Sequence, residues 1–116
     1  MAGADHNGTA VGSIGYVAGA PIDPNYALDF DGVSHMVTTT GNAPINGASP
    51  RTLEFLYKPF SNSGLQFPIS YGTKAGGTFF GVQNNSGQLV FNGYNADLST
   101  GYTFTIGTWH HIAITF

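Results

Sequence analysis

No window of about eleven residues in this chain carries the 3.6-residue apolar repeat of a helix, and turn signals interrupt it at intervals of about 8–12 residues. Between the interruptions the apolar residues alternate. Tyr26-Ala27-Leu28-Asp29-Phe30 is one such run, and Arg51–Phe60 is another, with Leu53, Phe55 and Tyr57 on one face and Thr52, Glu54, Leu56 and Lys58 on the other. Further strands are predicted at Met36–Thr40, Phe67–Tyr71, Thr78–Gln83, Gln88–Asn92 and Tyr102–Ile106. A last one runs from Thr108 to Phe116. Many short strands with no helix between them predict an all-β antiparallel sandwich or barrel. At 116 residues the length predicts one domain, spanning 1–116.

Turn chemistry sets the expected order of pairing. Asp31-Gly32 is a strong hairpin signal, so Met36–Thr40 is expected to return beside Tyr26–Phe30. The Gly41–Pro50 stretch reads as a loop, and Asn84-Asn85-Ser86-Gly87 reads as a hairpin turn. Before Tyr26 the chain is rich in Gly and Ala, with one short strand expected at His6–Val11 and a connector marked by Pro21 and Pro24. The final stretch places Ile112, Ile114 and Phe116 at period two, with the only tryptophan, Trp109, at its entrance. Together with Phe30 and Phe55 these residues form the expected core.

Composition narrows the function. Charged residues make up 8% of the chain against roughly 25% in an average domain, so Ser, Thr, Asn, Gln and Gly must build the surface. Such surfaces suit secreted, adhesive or assembled proteins, and an extracellular or surface-associated location is expected. Three Lys/Arg against six Asp/Glu give a net charge of −3 without a basic cluster, which argues against nucleic acid. No apolar run approaches the roughly 18 residues of a membrane span, and no leader peptide is visible. Cysteine is absent.

The order of signals resembles the concanavalin A-like jelly rolls, above all the laminin-G-like and pentraxin-like domains. Ala27-Leu28-Asp29-Phe30-Asp31-Gly32, Thr52–Pro59, Ile69-Ser70-Tyr71-Gly72-Thr73 and Gly107–Thr115 carry the resemblance, and His6-Asn7-Gly8-Thr9 is similar to the small strand that often precedes such domains. The resemblance implies two stacked antiparallel sheets. It also implies further strands after the Trp-His-His stretch, so the chain is expected to close in a smaller topology or to be completed by a partner chain.

Each candidate chemistry has a structural counterpart. His110 and His111 are adjacent on a strand and point to opposite faces, so one ion cannot easily hold both. Asp29 and Asp31 could offer calcium two carboxylates, but Asp31-Gly32 is better explained by a turn. In pentraxin-like domains an acidic-amide pair follows the Ser-Tyr-x-Thr stretch, whereas the matching place here is Gly76-Gly77. No metal or other cofactor is expected. Glu54 is the single glutamate and has no second acid at strand spacing, so glycoside hydrolysis by paired carboxylates is excluded. There is neither a nucleophile elbow nor a phosphate loop, and the chain is not expected to be an enzyme.

Recognition remains. Sugar sites join an aromatic platform for the CH face of a ring to amides for its hydroxyls. Tyr71 with Lys74, Asn84 with Asn85, and Asn92 with Tyr94 and Asn95 are the candidate ligand-binding residues. The expected function is lectin-like recognition or adhesion, with a glycan or protein as partner. The alternatives are a structural subunit that self-associates through its C-terminal edge strand, or a fragment or engineered half-domain.

Overall fold

In the computed structural model, the structure describes residues 8–21, 25–39, 49–76 and 78–116. These residues are all-β and antiparallel, with no helix among them, hence none long and apolar enough to cross a membrane. His6, the 41–48 part of the expected loop, Pro24 and Gly77 lie outside the described residues. The contacts fall into two compact units, Met1–Asn42 and Ala43–Phe116, where the length alone predicts one.

In the first unit, β1 (Gly8–Val11) pairs with β4 (Met36–Thr39), and β2 (Gly15–Ala18) pairs with β3 (Tyr26–Asp29). The pairs are nested, so the unit is a two-stranded ladder interrupted where Gly12–Ile14 faces the longer 30–35 segment. This corrects the expected hairpin: β3 and β4 are not partners, and Asp31-Gly32 bends a bulge and not a strand reversal. The Asp31 side chain explains why. Its Oδ1 accepts hydrogen bonds from the amides of Val33, Ser34 and His35 at 2.8–2.9 Å, and its Oδ2 accepts from the Ser34 hydroxyl at 2.7 Å. Its own amide donates to His35 Nδ1 at 3.3 Å. The Ser34 hydroxyl and these amides hold the carboxyl well below the usual carboxylate range. The side chain is spent on its own loop, as the turn reading of Asp31 anticipates.

In the second unit, β5 (Thr52–Tyr57) pairs with β10 (His110–Thr115) from Thr52↔Thr115 to Tyr57↔His110. Reciprocal backbone bonds between Arg51 and Phe116, both 2.9 Å, extend the ladder by one pair. A four-stranded sheet follows the order β6 (Leu65–Gly72), β7 (Phe79–Asn85), β8 (Gln88–Asn92), β9 (Leu98–Thr103). Pro68 sits where the β6–β7 register shifts, on an edge strand, which is where a residue without an N–H is tolerated. Ser86 and Gly87, with φ of 50° and 95°, make the two-residue turn between β7 and β8 whose twist suits a hairpin. Gly72 has a φ of 92°, and a Cβ there would strike the Thr78 carbonyl, so only glycine fits.

Side chains of the two sheets of this unit meet. Tyr57 on β5 meets the Phe104 ring edge-on at 5.2 Å. Phe80 on β7 touches Tyr71, Phe91 and Phe116 at centroid distances of 5.4, 5.0 and 6.5 Å, beneath the Arg51 guanidinium. The buried apolar residues of the unit are Phe79, Phe80, Val82, Val90, Phe104 and Ile112. β7 is buried from Phe79 to Asn84 on both faces, its amides Gln83 and Asn84 included.

The expected core is redrawn by these contacts. Ile112 is buried, and Phe55, Trp109 and Ile114 are half-buried. Phe30 and Phe116 are exposed, at 45% and 58%. Phe30 opens the 30–35 bulge, and Phe116 lies just past β10, where its ring meets Phe80 edge-on and the Arg51 guanidinium at 5.2 Å. Phe104, outside any strand, takes a central place against Tyr57, Tyr102 and His110.

Candidate functional site

Two connections lie together at one end of the four-stranded sheet. The β6–β7 turn follows the pair Gly72↔Phe79, and the β8–β9 loop follows the pair Gly81↔Asn92. A Cβ on Gly76 would sit 3.9 Å from the Tyr94 carbonyl, so the two connections are adjacent. In the turn, the Thr78 hydroxyl bonds at 3.0 Å to the carbonyls of Thr73 and Ala75, and the exposed Lys74 lies between them.

The β8–β9 loop is held by side chains at both of its ends. The buried Asn92 accepts the Tyr94 amide on its Oδ1, and Asp97 Oδ1 accepts the Gly93 amide, both at 3.2 Å. Gly93 has no room for a side chain, because a Cβ would approach the Ala96 carbonyl to 2.9 Å. Between these anchors Tyr94 and Asn95 take φ values of 52° and 67°. Asn tolerates this left-handed conformation. For a tyrosine it costs about 1–2 kcal/mol, and residues held so usually serve a purpose beyond stability. The Tyr94 ring touches Phe79 edge-on at 6.5 Å and remains 39% exposed.

The structure divides the seven candidate binding residues. Lys74, Tyr94 and Asn95 come to the same end of the sheet, and Asn92 anchors the loop from inside. Tyr71 stands at that end but on the other face. It pairs with Phe80, whereas Tyr94 meets Phe79, and consecutive strand residues point oppositely. Asn85 is exposed at the far end of β7. Asn84 is 1% exposed and is committed to the fold.

Asn84 is the centre of a polar cluster between the sheets. Its amide nitrogen lies 3.1–3.3 Å from Tyr57 Oη, Asn62 Oδ1 and Gln66 Oε1, and its Oδ1 accepts the Gly87 amide at 2.8 Å. The Tyr57 hydroxyl donates to Gln66 Oε1 at 2.9 Å, and Asn62 donates to the Phe104 carbonyl at 3.0 Å. Burial pushes the Tyr57 phenol up from its ordinary value, against a smaller opposing effect of Asn84. Among the described residues no buried side-chain polar atom lacks a hydrogen-bond partner, and this cluster is committed to the fold.

The histidine pair separates as adjacent strand residues must. His110 is buried, with Nδ1 2.8 Å from Tyr102 Oη and Nε2 3.1 Å from the Thr105 carbonyl. His111 is on the outer face, 2.7 Å from Glu54. Among the described residues no three His, Cys, Asp or Glu side chains gather as metal ligands.

A second aromatic group escapes the sequence reading. Extending the β5–β10 register by one step sets Trp109 opposite Lys58. The Lys58 ammonium lies 5.9 Å from the Trp109 ring and 5.5 Å from that of Phe60, which is 60% exposed. The signal was present: Trp109 shares the parity of His111, Ala113 and Thr115, and not that of Ile112 and Ile114. No protein-family model, curated protein or solved structure matches the chain.

Proposed function

We propose that this protein is a non-catalytic, lectin-like recognition module of jelly-roll type, acting outside the cell and binding glycan at the end of the sheet where Lys74, Tyr94 and Asn95 meet. One observation carries the reading: an exposed tyrosine is kept in a left-handed backbone conformation by anchors on either side of it. A fold gains no stability from that arrangement. A sugar ring would gain a flat aromatic partner already in place, with Asn95 next to it in the chain and Lys74 in the adjacent turn to serve its hydroxyl groups. The low charge and the Asn-, Thr- and Gly-rich surface fit an extracellular role. Glu54, the one glutamate, is engaged by His111, which fits the absence of a paired-carboxylate mechanism.

The test is Tyr94→Asn against a panel of immobilised neutral oligosaccharides. Asn accepts the left-handed backbone more readily than Tyr, so the variant is expected to melt at or above the parent temperature while losing its glycan binding. A variant that binds as the parent does would remove the loop from the account.

A second reading, self-association, has its own observation. Among the described residues β5 and β10 form a two-stranded layer, with no further strand on the outer edge of β10. Unpaired strand edges accept another chain. Light scattering separates the readings, since recognition through the loop leaves the mass at one chain and strand addition does not.

A further inference from the structure

We infer that the outer end of the β5–β10 layer, built by Lys58, Phe60 and Trp109, is a second binding site, for a sugar residue that carries a carboxylate. The inference stands independently of the Tyr94 loop.

The site is rigid. Lys58 and Trp109 flank the last ladder pair, Tyr57↔His110. Pro59 is fully buried, and its carbonyl accepts the Gly107 amide at 2.8 Å, which ties the turn before Trp109 to the segment after β5. Phe60 and Ile106 are both more than half exposed. The exposed Phe60 ring and the half-buried Trp109 ring therefore rest on backbone that is bonded across from both strands.

Charge identifies the class of ligand. Lys58 is one of three Lys/Arg in a chain of net charge −3. The described ion pairs are His35 with Asp31 and His111 with Glu54, and neither involves Lys58. Glu54, on the same face, is four residues away, roughly 13 Å along a strand at about 3.3 Å per residue, and it is turned to His111. The ammonium thus lies over two aromatic rings, and among the described residues no carboxylate pairs with it. Aromatic rings that face a cation can also recognise cationic ligands, but here the protein's own lysine occupies that position, so a cationic ligand is repelled. A ligand that complements the site brings an anion for Lys58 and an apolar face for Trp109 and Phe60. A pyranose with a carboxylate has both: its axial C–H groups lie on a ring while its carboxylate reaches the ammonium. A nucleic acid would need a cationic surface that this chain lacks.

Trp109 is the only tryptophan, so its fluorescence reports this site alone. The full chain is titrated with tri-galacturonate and with neutral galactotriose at low salt. The expected result is a saturable change in tryptophan emission with tri-galacturonate only, weakening as salt is added. Lys58→Gln should lower the affinity by about tenfold or more, since a charge-assisted bond is lost. Lys58→Arg should retain the preference for the acidic sugar, and Tyr94→Asn should leave it unchanged. Equal response to both sugars, no response at millimolar tri-galacturonate, or undiminished binding by a folded Lys58→Gln would overturn the inference. Loss in Tyr94→Asn but not in Lys58→Gln would also overturn it, by placing the acidic sugar on the loop.

Discussion

The two units of this chain use the same kind of sequence to opposite effect. In 8–39 four strands of four residues each leave Tyr16 and Tyr26 exposed at 72% and 79%, and Ala20 is the one buried apolar residue described there. In 49–116 the strands run to eight residues, and Phe79, Phe80, Val82 and Phe104 are buried together. Both regions alternate apolar and polar residues, and both are rich in turn residues. The first is held by ladder hydrogen bonds and by the Asp31 cluster, the second by a packed core with an amide cluster inside it. Alternation establishes that a strand exists. Burial depends on what the tertiary fold lays against it.

Mutations that break this contrast should differ in size accordingly. Phe80→Ala is expected to cost about 3–5 kcal/mol, the range for a large buried side chain, while Tyr16→Ala stays within about 0.5 kcal/mol. Urea denaturation of both variants decides the matter, and comparable losses would mean that the exposed ladder carries a share of the stability that its burial does not reveal. Asn84→Ala is expected to cost about 1–3 kcal/mol, because it strands Gln66, Asn62 and the Gly87 amide in a buried setting. A neutral result there would mean that water takes the place of the amide.

Tyr94→Asn should be close to neutral for stability. Relief of about 1–2 kcal/mol of backbone strain is offset by the loss of an aromatic contact worth about 0.5–1.5 kcal/mol. Smallest of all is the Asp31 effect. Its carboxyl titrates lower in the folded chain than in the unfolded one, so its contribution is complete above the ordinary carboxylate value of about 4. It is lost progressively as pH falls through the lowered folded value. The amide proton shifts of Val33, Ser34 and His35 should follow that titration, and Asp31→Asn should abolish it. A midpoint at the ordinary value would show that the carboxylate is not engaged.

Much of the fold was legible before the structure. The all-β class, the β5 and β10 strands with Leu53, Phe55 and Tyr57 facing inward, and the Ser86-Gly87 turn all follow from period-two spacing and turn chemistry. The pairing of β1 with β4 was not, because Asp-Gly predicts a reversal from local residues alone and nested partners lie 25 or more positions apart. Phe104 stands at period two with Tyr102 and Ile106, which are both exposed, so spacing alone does not single it out as core, and Asn84 reads as a binding or turn residue because asparagine is ordinarily found at the surface. Of the candidate site, the residue types around Tyr94 were legible. Its left-handed backbone was not, since that conformation is imposed by the side chains of Asn92 and Asp97 and by the crowding of Gly93 against Ala96.

The most direct test of recognition through the loop is a two-dimensional amide NMR titration of the full chain with a neutral oligosaccharide drawn from the binding panel. Shift changes clustered at residues 73–76 and 93–97, with β10 unaffected, are the predicted result. Changes along β10 with a quiet loop, or none at saturating sugar, would contradict the account and turn attention to assembly at that edge.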